Sequence, residues 1–230
     1  MGLFDKYKKK KVDAPKATEI QDAKTDQEAD EEKTIGWDAI TEAFEKAYPE
    51  QTNPKHYGTL IKSRFGGNDP LDGISVYDGG DYWHFVTYGL SEIYDKETDD
   101  PAVSGYGMEF TLKLKKGSYD NEEDEIRCIC GILQSIARIT FQSGELFKEY
   151  EYIYSGQTTG MDSRQKSKLT GFITVSDTKV AGIDTPNGRV NFVELIGVTN
   201  EELLSIINKE QTVRGLYAFL GSDLTDYDRN

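Results

Sequence analysis

Asp69-Pro70-Leu71-Asp72-Gly73-Ile74-Ser75-Val76-Tyr77, followed by Tyr82-Trp83-His84-Phe85-Val86-Thr87-Tyr88-Gly89-Leu90-Ser91-Glu92-Ile93-Tyr94, holds two apolar runs parted by Asp78-Gly79-Gly80-Asp81. Runs rich in β-branched and aromatic residues with Gly and Asp between them read as two strands of a hairpin, here 74–77 and 82–88. Outward from this hairpin the apolar period changes. Upstream, Trp37, Ile40, Phe44 and Tyr48 recur at spacings of three and four, which predicts an amphipathic helix ended by Pro49. Downstream, Phe110, Leu112 and Leu114 alternate with Thr111, Lys113 and Lys115, which predicts a strand over 107–115 with one wet face.

A long helix should follow, capped by Asp120 with Glu123 three residues on. Its expected buried stripe is Ile126, Ile129, Leu133, Ile136 and Phe141, broadened by Ile132 and Ile139, and Gly144 is a natural stop. Further strands are expected over 149–154, 169–175 and 190–198, with a turn at Asn187-Gly188. Thr199 and Glu202 form a capping-box pattern ahead of Leu203, Leu204, Ile206 and Ile207, and 213–220 reads as a last helix or helical turn. Strands interrupted by helices without strict alternation define the α+β class: one domain with a mixed, largely antiparallel β-sheet packed by α-helices. Residues 34–230 make up this domain. Residues 1–33 are poor in apolar groups and read as a charged, flexible tail. In that tail Leu3, Phe4 and Tyr7 share a helical face beside Lys8–Lys11, a weak membrane-surface contact against the plainer reading of a solvated tail. Lys6 stands where a myristoylation motif wants Ser or Thr.

The net charge of −14 argues against direct contact with nucleic acid, whose phosphates it would repel. Residues 1–33 hold nine acids and eight bases, while the other 197 residues hold 32 acids and 19 bases, so the acidity belongs to the body. That suits either plain solubility or a basic protein partner. No apolar run is long enough to cross a membrane, and no apolar stretch follows the N-terminal lysines as in a signal peptide; the expected setting is cytoplasmic. Cys128 and Cys130, two apart on a helix, point to different sides and read as small buried apolar groups in a reducing compartment.

Catalytic patterns are scarce. Of the two histidines, His84 sits among aromatics in a strand, where a hydrogen-bonded structural histidine is the plainer reading and a general base the sharper one. No histidine–carboxylate metal spacing appears, and Gly66-Gly67 and Gly79-Gly80 lack the spacing and lysine of a phosphate loop. Asp99-Asp100 and Glu122–Glu125 read as solvated carboxylates. We therefore expect no cofactor, no metal and no enzymatic activity. Fourteen tyrosines, with Tyr77, Tyr82, Tyr88, Tyr94 and Tyr106 close together, suit recognition as well as core filling.

The opening stretch is followed, in order, by Ser104-Gly105-Tyr106-Gly107-Met108-Glu109-Phe110-Thr111-Leu112-Lys113-Leu114-Lys115, by Ile183-Asp184-Thr185-Pro186-Asn187-Gly188 with Val190 to Val198, and by Thr199-Asn200-Glu201-Glu202-Leu203. Over about two thirds of the chain this series resembles the N-terminal domain of suppressor-of-fused proteins. The resemblance implies a protein that grips other proteins. In the animal family two domains close on a short peptide of a transcription factor, which adds as a strand between them. Matched residue by residue, the family's peptide-contacting tyrosine after Gly-Leu-Ser falls on Tyr94, and its aspartate falls on Asp99, in a longer loop reading Asp99-Asp100-Pro101-Ala102-Val103. The chain ends near the close of the family's first domain, so the expected counterpart is a compact bacterial relative of the immunity-protein kind.

Resemblance and charge together imply a stoichiometric immunity protein or antitoxin that occludes a basic, possibly nuclease, toxin domain. Tyr82, Tyr88 and Tyr94 would anchor the partner, and Glu97, Asp99 and Asp100 would supply charge complementarity. The alternative is a regulatory scaffold that binds a peptide of a cellular protein by strand addition.

Overall fold

Three- and four-residue spacing winds the first helix as expected: α1 (Ile35–Ala47) buries Gly36, Ile40 and Phe44. The computed structural model describes residues 34–51, 53–59, 69–117 and 119–229. The expectations for 1–33 and for Gly66-Gly67 lie outside the described residues. After α1 come β1 (Lys55–Gly58), β2 (Gly73–Asp78), β3 (Tyr82–Tyr88), β4 (Val103–Lys115), α2 (Glu122–Ser143), β5 (Tyr152–Ile153), β6 (Leu169–Ser176), β7 (Ile183–Thr185), β8 (Gly188–Thr199), α3 (Asn200–Ile207), α4 (Val213–Leu220) and β9 (Leu224–Thr225). Among the described residues the strands form one open sheet in the order β1-β2-β3-β4-β8-β6-β5, with β7 on β8 and β9 on β4. Only the β4–β8 and β4–β9 pairs are parallel. The sheet is thus mixed and largely antiparallel in a single α+β domain, and the opening stretch forms the β2–β3 hairpin, Asp78 opposite Trp83.

The pleat sorts side chains to two faces. One face packs on α2: Phe85, Phe110, Leu112 and Leu195 meet Ile126, Ile129, Leu133 and Ile136. The other face is covered in two places. At one, α1 lays Ile40 and Phe44 on Tyr77, Val86, Tyr88 and Phe192. At the other, Leu203, Ile206 and Leu216 of α3 and α4 cover Ile173, Val175, Ile196 and Val198. Alternation along β8 places Phe192, Glu194, Ile196 and Val198 on this second face.

Three expectations are corrected here. The face of β4 carrying Glu109, Thr111 and Lys113 is not wet: all three are buried, because α1, α3 and α4 close over it. On α2 the buried stripe continues from Ile136 to Ala137 and Thr140, so Phe141 and Ile139 fall outside it and are exposed, with Ile132 half-buried. The α2 N-cap is Asn121 rather than Asp120, its side chain accepting from the Glu123 N–H at 3.1 Å. Gly144 does stop the helix, and the Thr199–Glu202 capping box forms in full. No helix of the described residues is long and apolar enough to cross a membrane.

Candidate partner-binding groove

The segment Gly89–Thr98 leaves β3 and needs an anchor, since its backbone donors have no strand partner. Glu109 supplies it. Its Oε1 accepts from three successive backbone N–H groups, Gly89 (2.9 Å), Leu90 (3.1 Å) and Ser91 (2.8 Å), and from the Ser91 hydroxyl (2.7 Å). Its Oε2 accepts from the Thr87 hydroxyl at 2.6 Å. The carboxylate is fully buried, and burial pushes it up to about 7 while the hydroxyl and amide donors of Thr87, Ser91 and Gly89 pull it down. A second clamp comes from the β7–β8 hairpin, where the Asn187 amide donates to the carbonyls of Glu92 (2.7 Å) and Tyr94 (2.9 Å). That hairpin turns on Pro186 and Asn187, with Thr185 opposite Gly188, so only Gly188 of the expected Asn-Gly pair takes a positive φ.

Held in this way, the segment forms one wall of a groove of about 470 Å³, with Pro70, Leu90, Tyr94, Glu97, Tyr106 and Phe141 among its lining residues. The Tyr94 hydroxyl donates to Asp72 at 2.7 Å, which fixes the ring across the groove. Glu92 is tied down by the N–H groups of Glu97 (2.7 Å) and Thr98 (2.6 Å) and by Lys96 (2.9 Å). Asp95 and Glu97 are exposed along the rim. The arrangement can receive a cation or hydrogen-bond donor at the rim and an apolar side chain against Phe141. Among the described residues no group of three or more His, Cys, Asp or Glu is placed to hold a metal ion.

The six residues singled out from the sequence fall in four places. Tyr94 and Glu97 line the groove. Asp99 and Asp100 are exposed beyond it on the same connection, where Asp100 accepts from the Ala102 N–H at 2.9 Å. Tyr82 is half-buried elsewhere, its hydroxyl 3.3 Å from that of Tyr48. Tyr88 is a correction: it is fully buried and stacks on Trp37 at 4.1 Å, so it presents no surface to a partner. Sequence reasoning missed the roles of Glu109, Asn187 and Asp72, and it placed Tyr106 among the clustered tyrosines without singling it out. The Gly105-Tyr106-Gly107 pattern was the one local signal for this set, because both glycines take positive φ, at 55° and 69°.

A second polar cluster lies under the same face. His84 donates to Asp177 (2.8 Å) and accepts from the Tyr48 hydroxyl (2.7 Å). Lys113 donates to Glu194 (3.0 Å), Asp223 (2.7 Å) and Thr178 (2.8 Å) and lies 3.7 Å from Asp177. Burial lowers the His84 pKa despite Asp177, so the ring is neutral. Burial also works against the Lys113 charge, but Glu194, Asp177 and Asp223 outweigh it and raise its pKa. His84 is thus a hydrogen-bonded histidine sealed beneath aromatics, with no exposed surface.

Comparison with known proteins places this fold. The family model "Suppressor of fused protein (SUFU)" matches residues 67–230. The suppressor of fused homologues of Homo sapiens and Mus musculus are each 30% identical over 185 residues, 74% of this chain and 37% of theirs. A crystal structure of the Sufu–Fu complex superposes with a TM-score of 0.75 at 29% identity, covering 86% of this chain and 92% of that one. Drosophila Suppressor of Fused gives 0.73 at 29% identity, covering 86% of this chain and 51% of that one. A homologue from Neisseria gonorrhoeae shares the fold, with a TM-score of 0.55 at 14% identity over 84% of this chain and 94% of that one. The domain is of the suppressor-of-fused type, and the chain belongs to the suppressor of fused family. It spans about 37% of the length of its human and mouse relatives.

Proposed function

We propose that this chain is a non-enzymatic protein-binding module, a regulatory scaffold whose groove along Gly89–Thr98 takes an extended segment of a partner protein. The observation that carries the reading is the construction of that groove. A fully buried carboxylate, Glu109, and a hairpin amide, Asn187, are committed to shaping a segment whose Tyr94 and Glu97 line the groove. Pre-forming a loop removes ordering cost from binding. Family membership supports it, since a relative is known in a Sufu–Fu complex. Tyr94 presents apolar area with a polar tip, and Asp95 and Glu97 on the rim, with Asp99 and Asp100 further along the connection, add negative charge that favours a basic segment. Tyr82 lies apart and serves only a partner large enough to reach it.

The acidic body also motivates a second reading, neutralisation of a basic toxin domain by occlusion of its active surface. Net charge carries that reading, and the groove is not needed for it. Affinity capture with the tagged full-length chain and with its Tyr94→Ala variant, eluted by a salt gradient, separates the two. A partner lost with Tyr94→Ala and retained through a short segment of its own sequence supports the scaffold. A folded basic domain that binds one-to-one, elutes early in salt and ignores Tyr94→Ala supports neutralisation and overturns the groove reading.

A further inference from the structure

Between Val103 and Met108, β4 departs from β8: Val103 stands opposite Arg189 and Met108 opposite Asn191, so β4 carries three extra residues. The departure is built on Gly105 and Gly107, both in the left-handed region that favours glycine, and it is stapled by the Tyr106 N–H to the Leu90 carbonyl at 2.9 Å. Such bulges re-aim a side chain. Here the side chain is Tyr106, half-buried on the ridge between two hollows and lining both. The first hollow is the groove described above. The second, of about 540 Å³, lies past Tyr106 toward the start of β8. The bulge contributes to both hollows; the first is completed by Gly89–Thr98 and Phe141, the second by the connection after α2, the end of β6 and β8. Phe141 borders the first hollow and Leu146 the second, and they are 46% and 45% exposed. Each hollow thus has a large apolar side chain left open beside it, surface that gains by being covered.

The two hollows differ in charge. The first has exposed Asp95 and Glu97 on its rim. The second is lined by Lys148 and Arg189. The Lys148 ammonium makes no ion pair among the described residues, although the Lys148 backbone N–H donates to the Glu151 carboxylate at 3.0 Å, and Arg189 makes one exposed contact of 3.3 Å with Asp184, of a kind that contributes little. The two acids that line this hollow are engaged: Asp177 with His84 and Lys113, and Glu149 with the Ser176 hydroxyl at 3.2 Å. Lys148 and Arg189 line this hollow beside Glu149 and Asp177, whereas the first hollow is lined by acids and no cation.

Resting on the groove reading above, we infer that the partner segment does not end at Tyr94 but crosses Tyr106 into the second hollow. It is an extended segment with a basic residue toward Asp95 and Glu97, an apolar residue at Tyr106, and an acidic residue meeting Lys148 and Arg189. The charge asymmetry fixes the direction in which the segment lies, because the reversed orientation opposes like charges at both ends.

Selection from a library of random displayed peptides against the full-length chain tests this, run in parallel on Tyr94→Ala, Tyr106→Ala and the double variant Lys148→Glu/Arg189→Glu. Circular dichroism first verifies that each variant is folded. The native chain should enrich peptides that place a base, an apolar residue and an acid in one fixed order. The double variant should keep the base and the apolar residue, lose the acid, and bind a labelled selected peptide at least tenfold more weakly. Tyr106→Ala should weaken every selected peptide. Peptides that depend on Tyr94 but show no acid preference, or that bind the double variant equally well, overturn the second hollow and leave the groove reading standing. No enrichment, or enrichment indifferent to Tyr94, overturns both.

Discussion

Glu109 and Lys113 stand four residues apart on β4, face the same side of the sheet and are both sealed from water, yet the fold treats their charges in opposite ways. Lys113 is surrounded by opposite charge, with Glu194, Asp223 and Asp177 all within 3.7 Å. Glu109 meets dipoles alone: three amides and two hydroxyls. The Lys113 cluster ties β4 to β8, to the connection after β6 and to the approach to β9, and so joins parts of the chain far apart in sequence. The Glu109 cluster ties β4 to the end of β3, through Thr87, and to the segment that leaves it and shapes the groove. The difference separates holding the fold together from setting the form of a surface.

Breaking the ionic cluster should have the largest effect. Lys113→Met leaves three carboxylates crowded without their cation, and stability should fall by about 3–5 kcal/mol in urea unfolding. A loss below about 1 kcal/mol would mean that the carboxylates already share protons, and the contrast with Glu109 would collapse.

The next effect comes from pH. Glu109 has its carboxyl raised from 4.5 to about 7. A raised acid contributes stability that is fully present below the unfolded value and is lost as pH rises through the folded one. Between about pH 4.5 and 7 this one group should withdraw roughly 3 kcal/mol. Glu194 is raised by burial and acts with the same sign, while His84 is lowered and acts with the opposite sign. The clean reading is therefore the difference between native chain and Glu109→Gln. Urea unfolding from pH 5 to pH 8 should show a flatter profile for the variant, and parallel profiles would show that Glu109 does not titrate in this window.

A smaller effect should follow from the second clamp. Asn187→Ala removes two hydrogen bonds to the carbonyls of Glu92 and Tyr94 and should lower stability by about 1 kcal/mol. Hydrogen exchange should localise the change to amides between Gly89 and Thr98. Faster exchange spread over the whole sheet would place Asn187 with the fold-holding residues instead.

Local pattern carried much of the fold. The β2–β3 hairpin, α1, α2 with its Gly144 stop and the Thr199 capping box depend on neighbours a few residues away, and all were legible. The short strands β7 and β9 were not, since two or three residues carry too little period to register. The buried polar layer was missed for a different reason. Alternating Thr111, Lys113 and Lys115 looks the same whether water or other side chains lie above it, and the partners of Lys113 come from Asp177, Glu194 and Asp223, between 64 and 110 residues away. Tyr94 was singled out through the family motif and Glu97 for its charge, and both line the groove. Glu109 lay inside a quoted motif, but its role depends on amides that carry no residue signature.

The smallest effect on stability should come from the rim. Asp95 and Glu97 are exposed, and neither accepts a side-chain hydrogen bond or ion pair among the described residues, so Asp95→Asn with Glu97→Gln should leave the unfolding midpoint within about 0.5 kcal/mol of the native chain. If the groove is a binding surface, the same double change should slow association with a captured partner or selected peptide and flatten its dependence on salt, because rim charges act mainly on encounter. Stopped-flow association at two salt concentrations reads this directly. A variant that unfolds more easily but binds as before would move these acids from the surface class to the fold-holding class. Slower association with unchanged stability keeps the two roles on β4 apart, with Lys113 serving the fold and Glu109 serving the groove.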